Sequence, residues 1–240
     1  MSEANSQHAL WIELAAKANV SLGENQIALF EKYLELLFAA NARMNLTRIT
    51  EPDAARLLHI ADSLTILPWI SKDAKKLADV GSGGGMPGIV LAIARPELSV
   101  LLIESTQKKA KFLQDTIAEL GLKNVAVDAR RVEEIGNSEL RETFDVVVAR
   151  AVATLDWLGE WMLPLAKKGG IALAMKGKKA AEELAGAQHV FTRMAGGKAN
   201  VVPVELAGTE HHVVVEIPKI GHTDRRYPRL PTFAKGRALT

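Results

Sequence analysis

The sequence of 240 residues contains no cysteine. That absence excludes disulfides, thiolate-ligated metals and every mechanism built on a thiolate nucleophile, and it agrees with a reducing compartment. No apolar run approaches the ~20 residues that a bilayer-spanning helix requires. The opening MSEANSQHAL also lacks the basic start and apolar stretch of a signal peptide. A cytoplasmic protein without membrane attachment is therefore expected. Aromatic residues are scarce at 5%, and the net charge is only +2. With 48% hydrophobic and 24% charged residues, disordered, collagen-like and coiled-coil classes are excluded, and the length suits one large core with an extension.

The small net charge conceals an asymmetry. Between Lys219 and Thr240, six basic residues (Lys219, Arg225, Arg226, Arg229, Lys235, Arg237) face one acid, Asp224, a net of +5. The other 218 residues hold 24 basic and 27 acidic side chains, a net of −3. A mildly acidic body with a basic end predicts a polyanionic partner met by that end.

Residues 1–72 read as a helical extension. Leu10, Trp11, Leu14, Ala15 and Ala18 make one short amphipathic pattern. Ser21 and Glu24 form an S-x-x-E capping box ahead of a helix with Ile27, Phe30, Leu34 and Leu37 on one face. Thr50 and Asp53 repeat the cap signature, and Pro68 interrupts the helix that follows. From about residue 75 the texture changes. LADV, SVLLIE, NVAV, FDVVVA and GIALAM read as strands, with helices expected to begin near Pro87, Thr106, Ser138 and Thr154. Nearly continuous apolar strands separated by helices predict a parallel sheet covered on both faces. Two last runs, 200–206 and 211–217, have no long helix between them and predict a terminal antiparallel hairpin. The expected organisation is a helical extension over 1–72, a ligand-binding sheet domain over 73–218 and a basic tail over 219–240.

Directly after the first strand comes Asp79-Val80-Gly81-Ser82-Gly83-Gly84-Gly85-Met86-Pro87-Gly88. Glycines permit positive φ and let a ligand touch backbone, while Pro87 suits a first helical turn. Gly83, Gly85 and Gly88 satisfy G-x-G-x-x-G, and Glu104 closes the second strand at about the ~20-residue spacing of a ribose-binding acid, so a dinucleotide is one reading. The register favours another. The series that begins where the strand ends is Asp79-x-Gly81-x-Gly83-x-Gly85, and the dinucleotide match starts two residues late. An acid at the strand tip disfavours a pyrophosphate but suits a ligand with an ammonium and a sulfonium, such as S-adenosylmethionine. Glu104 would hold ribose hydroxyls in either case. Val132 and Glu133 follow the third strand, where an adenine ring is expected, and Arg150 leaves the fourth at the carboxyl edge, where open α/β sheets bind ligands.

For a methyl donor, the residue inventory narrows the acceptor. Without cysteine the covalent route to pyrimidine C5 is closed, and without any Pro-Pro pair the N/D-P-P-aromatic loop that binds exocyclic amines is missing. Guanine N7 fits what remains, because its in-plane lone pair needs no deprotonation and alignment suffices. No metal is expected: His211 and His212 are adjacent in an expected strand and point to opposite faces, and His59 with Asp62 has no third ligand. Asn45, His59 and Asp62 lie in the helical extension. They serve either as turn and cap residues, with His59 and Asp62 hydrogen-bonded along a helix, or as the rim where a target base enters. Arg225, Arg226, Tyr227 and Arg229 combine guanidinium and aromatic groups as phosphate contact and base stacking require. Lys176, Lys178 and Lys179 follow the fifth strand, and the two basic clusters are expected near one edge, gripping RNA.

Asn45-Leu46-Thr47, HIADSL from His59, DVGSGGGMPGIVLAI, RVEE at 131–134, ARA at 149–151 and Tyr227-Pro228-Arg229 together resemble the glucose-inhibited division protein B family, from about residue 30 to 230. The resemblance implies a class I S-adenosylmethionine-dependent methyltransferase fold. This is an α/β, Rossmann-like, mostly parallel seven-stranded sheet with a terminal antiparallel hairpin and an N-terminal helical cap. It also implies methylation of guanine N7 in 16S rRNA near the decoding site, with the rRNA or the small ribosomal subunit as partner. Matched by position, it implies cofactor contacts at Gly81, Met86, Val132, Glu133 and Arg150. The tail departs from the family, reading LPTFAKGRALT where a glycine and further lysines are usual. An NAD(P)-dependent oxidoreductase and a non-catalytic RNA-binding module are the competing expectations, and a monomer is expected.

Overall fold

In the computed structural model, which describes residues 3–209 and 211–239, the amino-terminal layer is helical. Helices α1 (Glu3–Ala16) and α2 (Glu24–Met44) bury the stripe set by their 3.6-residue spacing: Trp11, Leu14 and Ala15 from the first, Phe30, Leu34 and Leu37 from the second. Trp11 meets Phe30 edge to face, with centroids 5.5 Å apart. Both expected caps are displaced. Gly23 precedes α2 and donates its N–H to Gln26 Oε1 at 3.0 Å, so Ser21 stands outside the helix. Helix α3 (Pro52–Ala55) starts on Pro52 behind Glu51, not Thr50, because proline's fixed φ and missing N–H suit the first helical position. A π turn (Arg56–Ala61), α4 (Asp62–Leu64) and a 3₁₀ turn (Leu67–Trp69) follow, and the helix ends ahead of Pro68 as expected.

Seven strands form one sheet: β1 (Lys76–Val80), β2 (Ser99–Ile103), β3 (Val125–Asp128), β4 (Phe144–Arg150), β5 (Ala166–Lys176), β6 (Asn200–Pro203) and β7 (Val213–Pro218). Their order is β3-β2-β1-β4-β5-β7-β6. The first five are parallel and β7 is antiparallel to both neighbours, so the expected parallel sheet and terminal hairpin are present. The covering helices are α5 (Gly88–Ala94), α6 (Gln107–Leu120), α7 (Val132–Ile135), α8 (Leu155–Met162) and α9 (Ala180–Arg193), with a final turn α10 (Pro231–Ala234). Two differ from expectation. The helix expected near Ser138 is replaced by α7, which ends before it, and α9 emerges from a stretch whose polar residues hid Ala180, Ala187, Val190 and Phe191 at helical spacing.

Strand alternation divides the core. Leu77, Val100, Leu102, Val146 and Val148 are buried together with the amino-terminal helices, α5 and α6, whereas Ala78, Val80, Val147 and Ala149 are buried with α8 and α9. The amino-terminal extension thus completes one face of the sheet, and Trp11, Phe30 and Leu91 share a single apolar cluster. Strand order reverses between β1 and β4, which opens a crevice at their carboxyl ends.

The basic tail leaves the other edge. Register pairs Lys176 with Val213 and Ile171 with Pro218, so the chain after Pro218 departs from the amino edge, opposite Lys176. Arg225 lies on that side, beside Asn137 and Glu142, whereas Lys176 ends β5 at the carboxyl edge. Lys219 is buried, donating to Leu163 O at 2.7 Å and to Thr223 Oγ1 and pairing with Glu142 at 3.2 Å, and burial draws its pKa down to about 8. Arg141 donates to the carbonyls of Tyr227 and Thr223 at 2.6 and 2.7 Å. Arg229 binds the buried Glu160 at two points, 2.8 and 2.7 Å, and Tyr227 packs on the α8–α9 side of the core. Arg229 thus anchors the tail to α8. Arg229→Ala leaves the buried Glu160 carboxylate with only the backbone N–H at position 229, 2.8 Å away, and is expected to cost about 3 kcal/mol. Urea denaturation with amide exchange across 222–239 checks this; an unchanged midpoint would contradict the anchor.

Candidate active site

The turn after β1 is built from backbone. Gly81 and Ser82 N–H both donate to Ile103 O, at 2.8 and 3.1 Å, which ties the loop to the end of β2. Gly81 and Gly83 have φ of +69° and +55°, and a Cβ on Gly81 would lie 2.7 Å from Val152 Cγ2. From the helical layer, the fully buried Tyr33 donates its hydroxyl to Gly84 O at 2.8 Å. Tyr33 escaped sequence reasoning because it sits within an ordinary apolar stripe.

Asp79 lies beneath this loop and off the cavity wall. Its Oδ2 accepts the Gly88 N–H at 2.9 Å at the start of α5, its Oδ1 has no partner, and burial pushes its pKa up to about 7. The carboxylate therefore occupies the helix N-terminus that a dinucleotide pyrophosphate would need. A Cβ on Gly88 would lie 2.3 Å from Leu102 Cδ2. Direct ligand contact by Asp79 is not what its position provides. Gly85, also expected to touch the cofactor, lies off the wall as well; a Cβ there would lie 2.5 Å from Ile89 Cδ1.

Because the Asp79 pKa rises from 3.8 to about 7, the folded protein holds a proton that the unfolded chain has lost between those values. Its contribution to stability therefore falls as pH rises through that window. Asp79→Asn keeps an acceptor for Gly88 and is expected to remove this part of the slope. Unfolding free energies measured from pH 4 to 8 check it, and identical slopes in the two proteins would contradict the assignment.

At the crevice lies a cavity of about 480 Å³. Its walls include Gly81, Gly83 and Met86 from the loop, Glu104 after β2, Val132 and Glu133 from α7, and Arg150 from the end of β4. Leu46 and Thr47, from the Asn45-Leu46-Thr47 motif, also line it, as do Lys109 and Trp161, which the sequence did not single out. Glu104 is held firmly: Oε2 accepts Gly83 N–H at 3.0 Å and Oε1 accepts Thr106 N–H at 2.7 Å, with lone pairs remaining. Glu133 Oε1 accepts from Arg131 at 3.0 Å, whereas its buried Oε2 has no partner.

Arg150 gathers the helical-layer candidates. Nη1 donates to Asp62 Oδ2 and to Leu58 O, each at 2.8 Å, and Nη2 lies 3.1 Å from His59 Nδ1. His59 Nε2 meets Thr47 Oγ1 at 3.0 Å, and Asp62 Oδ1 meets His212 Nδ1 at 2.9 Å. His59 and Asp62 are thus joined through Arg150 and not as a helical pair. Burial, then Arg150, lowers the His59 pKa to about 4, so it is neutral at pH 7. Asp62 raises that of His212. His212 precedes β7 and His211 lies in an exposed turn, so neither occupies the expected strand. Asn45 is exposed, with φ 52° at the end of α2, and donates its N–H to Asn41 O at 3.3 Å. It caps the helix, and Thr47, two residues on, takes the place at the wall.

A second cavity of about 320 Å³ lies across Arg150, which with Ala151 lines both. Lys176 is on its wall, donating to Ala153 O at 2.9 Å and pairing with Glu183 at 2.7 Å. Lys178, Arg225 and Arg226 are exposed and line neither cavity; Arg226 pairs with Asp224 at 2.9 Å. Among the described residues, no group of three or more His, Asp or Glu is placed to hold a metal, and no helix is long and apolar enough to cross a membrane.

Comparison with known proteins bears on the same residues. The family model for rRNA small subunit methyltransferase G (GidB) matches residues 26–214. Ribosomal RNA small subunit methyltransferase G of Sorangium cellulosum (strain So ce56) is 43% identical over 218 residues, covering 90% of this chain and 89% of that protein. Its counterpart from Pelotomaculum thermopropionicum is 40% identical over 230 residues, 95% and 96% of the two chains. A crystal structure of a SAM dependent methyltransferase from Aquifex aeolicus shares the fold, with a TM-score of 0.55 and 18% identity over 73% of this chain and 97% of that one. The oxidoreductase and non-catalytic readings find no support in these matches. With the helix N-terminus closed to a pyrophosphate and relatives matching nearly end to end, this chain belongs to the rRNA small subunit methyltransferase G family.

Proposed function

We propose that this protein transfers a methyl group from S-adenosylmethionine to N7 of a guanine in 16S rRNA, acting without a metal and as a monomer in the cytoplasm. The observation that carries this reading is the pair of cavities divided by Arg150, the first lined by the glycine loop and Glu104 and the second walled largely by apolar side chains. The cradle fits the cofactor: positive-φ glycines, the Glu104 carboxylate for ribose hydroxyls and the unpartnered Glu133 Oε2 for an amino group. S-adenosylmethionine supplies an electrophilic methyl group on a cationic sulfur.

The chain's residues then position and exclude. The Glu104 carboxylate lends the loop negative potential suited to a cation. Asp62 has both oxygens engaged and His59 is held neutral between Arg150 and Thr47, so neither is free to deprotonate an acceptor. Guanine N7 needs no deprotonation, and alignment across the Arg150 partition can lower the barrier. In this reading residues 1–72 brace the glycine loop and wall the acceptor side, 73–218 hold the cofactor, and 219–240 fasten the amino edge. Lys178, Arg225 and Arg226, being exposed, remain the candidate RNA contacts.

Incubation of methyl-labelled S-adenosylmethionine with small subunits, and separately with naked rRNA, from cells lacking the protein tests this. Label is expected in at least one substrate. Label in neither, or a melting point raised by NADPH and not by S-adenosylmethionine, would overturn the reading.

A further inference from the structure

We infer that Lys176 determines acceptor specificity, donating a hydrogen bond to O6 of the guanine held in the second cavity. The inference rests on the methyl-transfer reading. The cavity adjoins the cofactor cavity across Arg150 and Ala151, so its occupant lies beside the site of transfer. Ile49, Leu58, Met175, Val204 and Val213 give it apolar walls. Enzymes that act on a base withdrawn from its stack hold the ring between such walls and read its edge with a few polar groups.

Four charged or titratable side chains line this cavity: Asp62, Arg150, Lys176 and His212. Asp62 joins Arg150 and His212, and the His212 side chain is the more open to solvent, at 39% exposed. Arg150 donates to Asp62 and Leu58 O and meets His59 and Met86 Sδ, while Asp62 divides its two oxygens between Arg150 and His212. Asp62 is the one carboxylate among the described residues on this wall, and each of its oxygens already has a partner. Lys176 is different. An ammonium carries three N–H donors, and two are directed to Ala153 O and Glu183, which fix the head group and leave one. Its side chain is 13% exposed, so that donor works in a largely dry site. Beside N7, guanine presents the O6 acceptor where adenine presents an amino donor. A fixed cationic donor pairs with the first and repels the second.

The test uses small subunits reconstituted with a modified base at the acceptor position. Inosine keeps O6 and lacks the 2-amino group; 2-aminopurine keeps that group and lacks O6. The wild-type protein is expected to methylate inosine about as well as guanine, with 2-aminopurine lower in kcat/KM by on the order of 10- to 100-fold. Lys176→Met is expected to lose a similar factor on guanine, to lose little more on 2-aminopurine, and to bind S-adenosylmethionine normally. Lys176→Arg, which retains donors, is expected to recover most of the loss. Equal wild-type rates on guanine and 2-aminopurine overturn the inference whether or not a variant folds, as does an equal loss by Lys176→Met on both bases. Failure of the wild-type protein to methylate guanine at all overturns the methyl-transfer reading and this inference with it.

Discussion

Arg150→Ala is expected to reduce methyl transfer by at least about 100-fold and to destabilise the protein by about 3–5 kcal/mol. The stability loss follows from Asp62, whose side chain is 3% exposed and which loses its guanidinium partner, leaving a buried carboxylate with His212 alone. The rate loss follows from position. Arg150 is the shared wall of both cavities, and misplacement of reacting groups by about 1 Å costs on the order of 100-fold. Arg150→Lys is not expected to rescue it, because a point-like ammonium cannot serve Asp62, Leu58 O and His59 from one plane. Arg150→Ala with Asp62→Asn removes the stranded charge and should recover part of the stability without recovering the rate. Urea denaturation and single-turnover kinetics separate the two effects. If the double variant regained activity along with stability, Arg150 would have only a structural role.

Glu104→Ala is expected to weaken S-adenosylmethionine binding by about 100-fold, with little effect on the helical layer. The carboxylate receives the N–H groups of Gly83 and Thr106, and hydrogen bonds to a charged group contribute about 1.5–3 kcal/mol each. Its removal loosens the loop and deletes the ribose acceptor together. Glu104→Gln retains one acceptor oxygen but turns an amide toward a backbone donor, so an intermediate loss is expected. Titration calorimetry reads both variants. An unchanged Kd for Glu104→Ala would remove Glu104 from the cofactor site.

What was legible in the sequence was whatever repeats locally. Strand alternation around Val146–Ala149, the glycine series from Gly81 and the positions of Glu104 and Arg150 at strand ends all follow from short-range pattern, and they meet in one crevice. What was hidden depends on contacts between distant residues. His212 reaches Asp62 across 150 positions, and Tyr33 reaches Gly84 from inside an apolar helix face. Charge counting failed for the same reason. Lys219 and Arg229 raise the tail's charge in the sequence, yet one is buried among carbonyls and the other is bound to Glu160, so the tail offers less cationic surface than its +5 suggests. The cap signatures at Ser21 and Thr50 were outweighed by a glycine and a proline nearer the helix starts.

The most direct test is the identity of the methylated nucleoside. Small subunits from cells lacking the protein, treated with the purified protein and labelled S-adenosylmethionine, should yield the label as 7-methylguanosine on nuclease digestion, and reduction with aniline cleavage should map it to one position in 16S rRNA. Label recovered on an adenine, a pyrimidine, a ribose or an exocyclic nitrogen would contradict transfer to guanine N7.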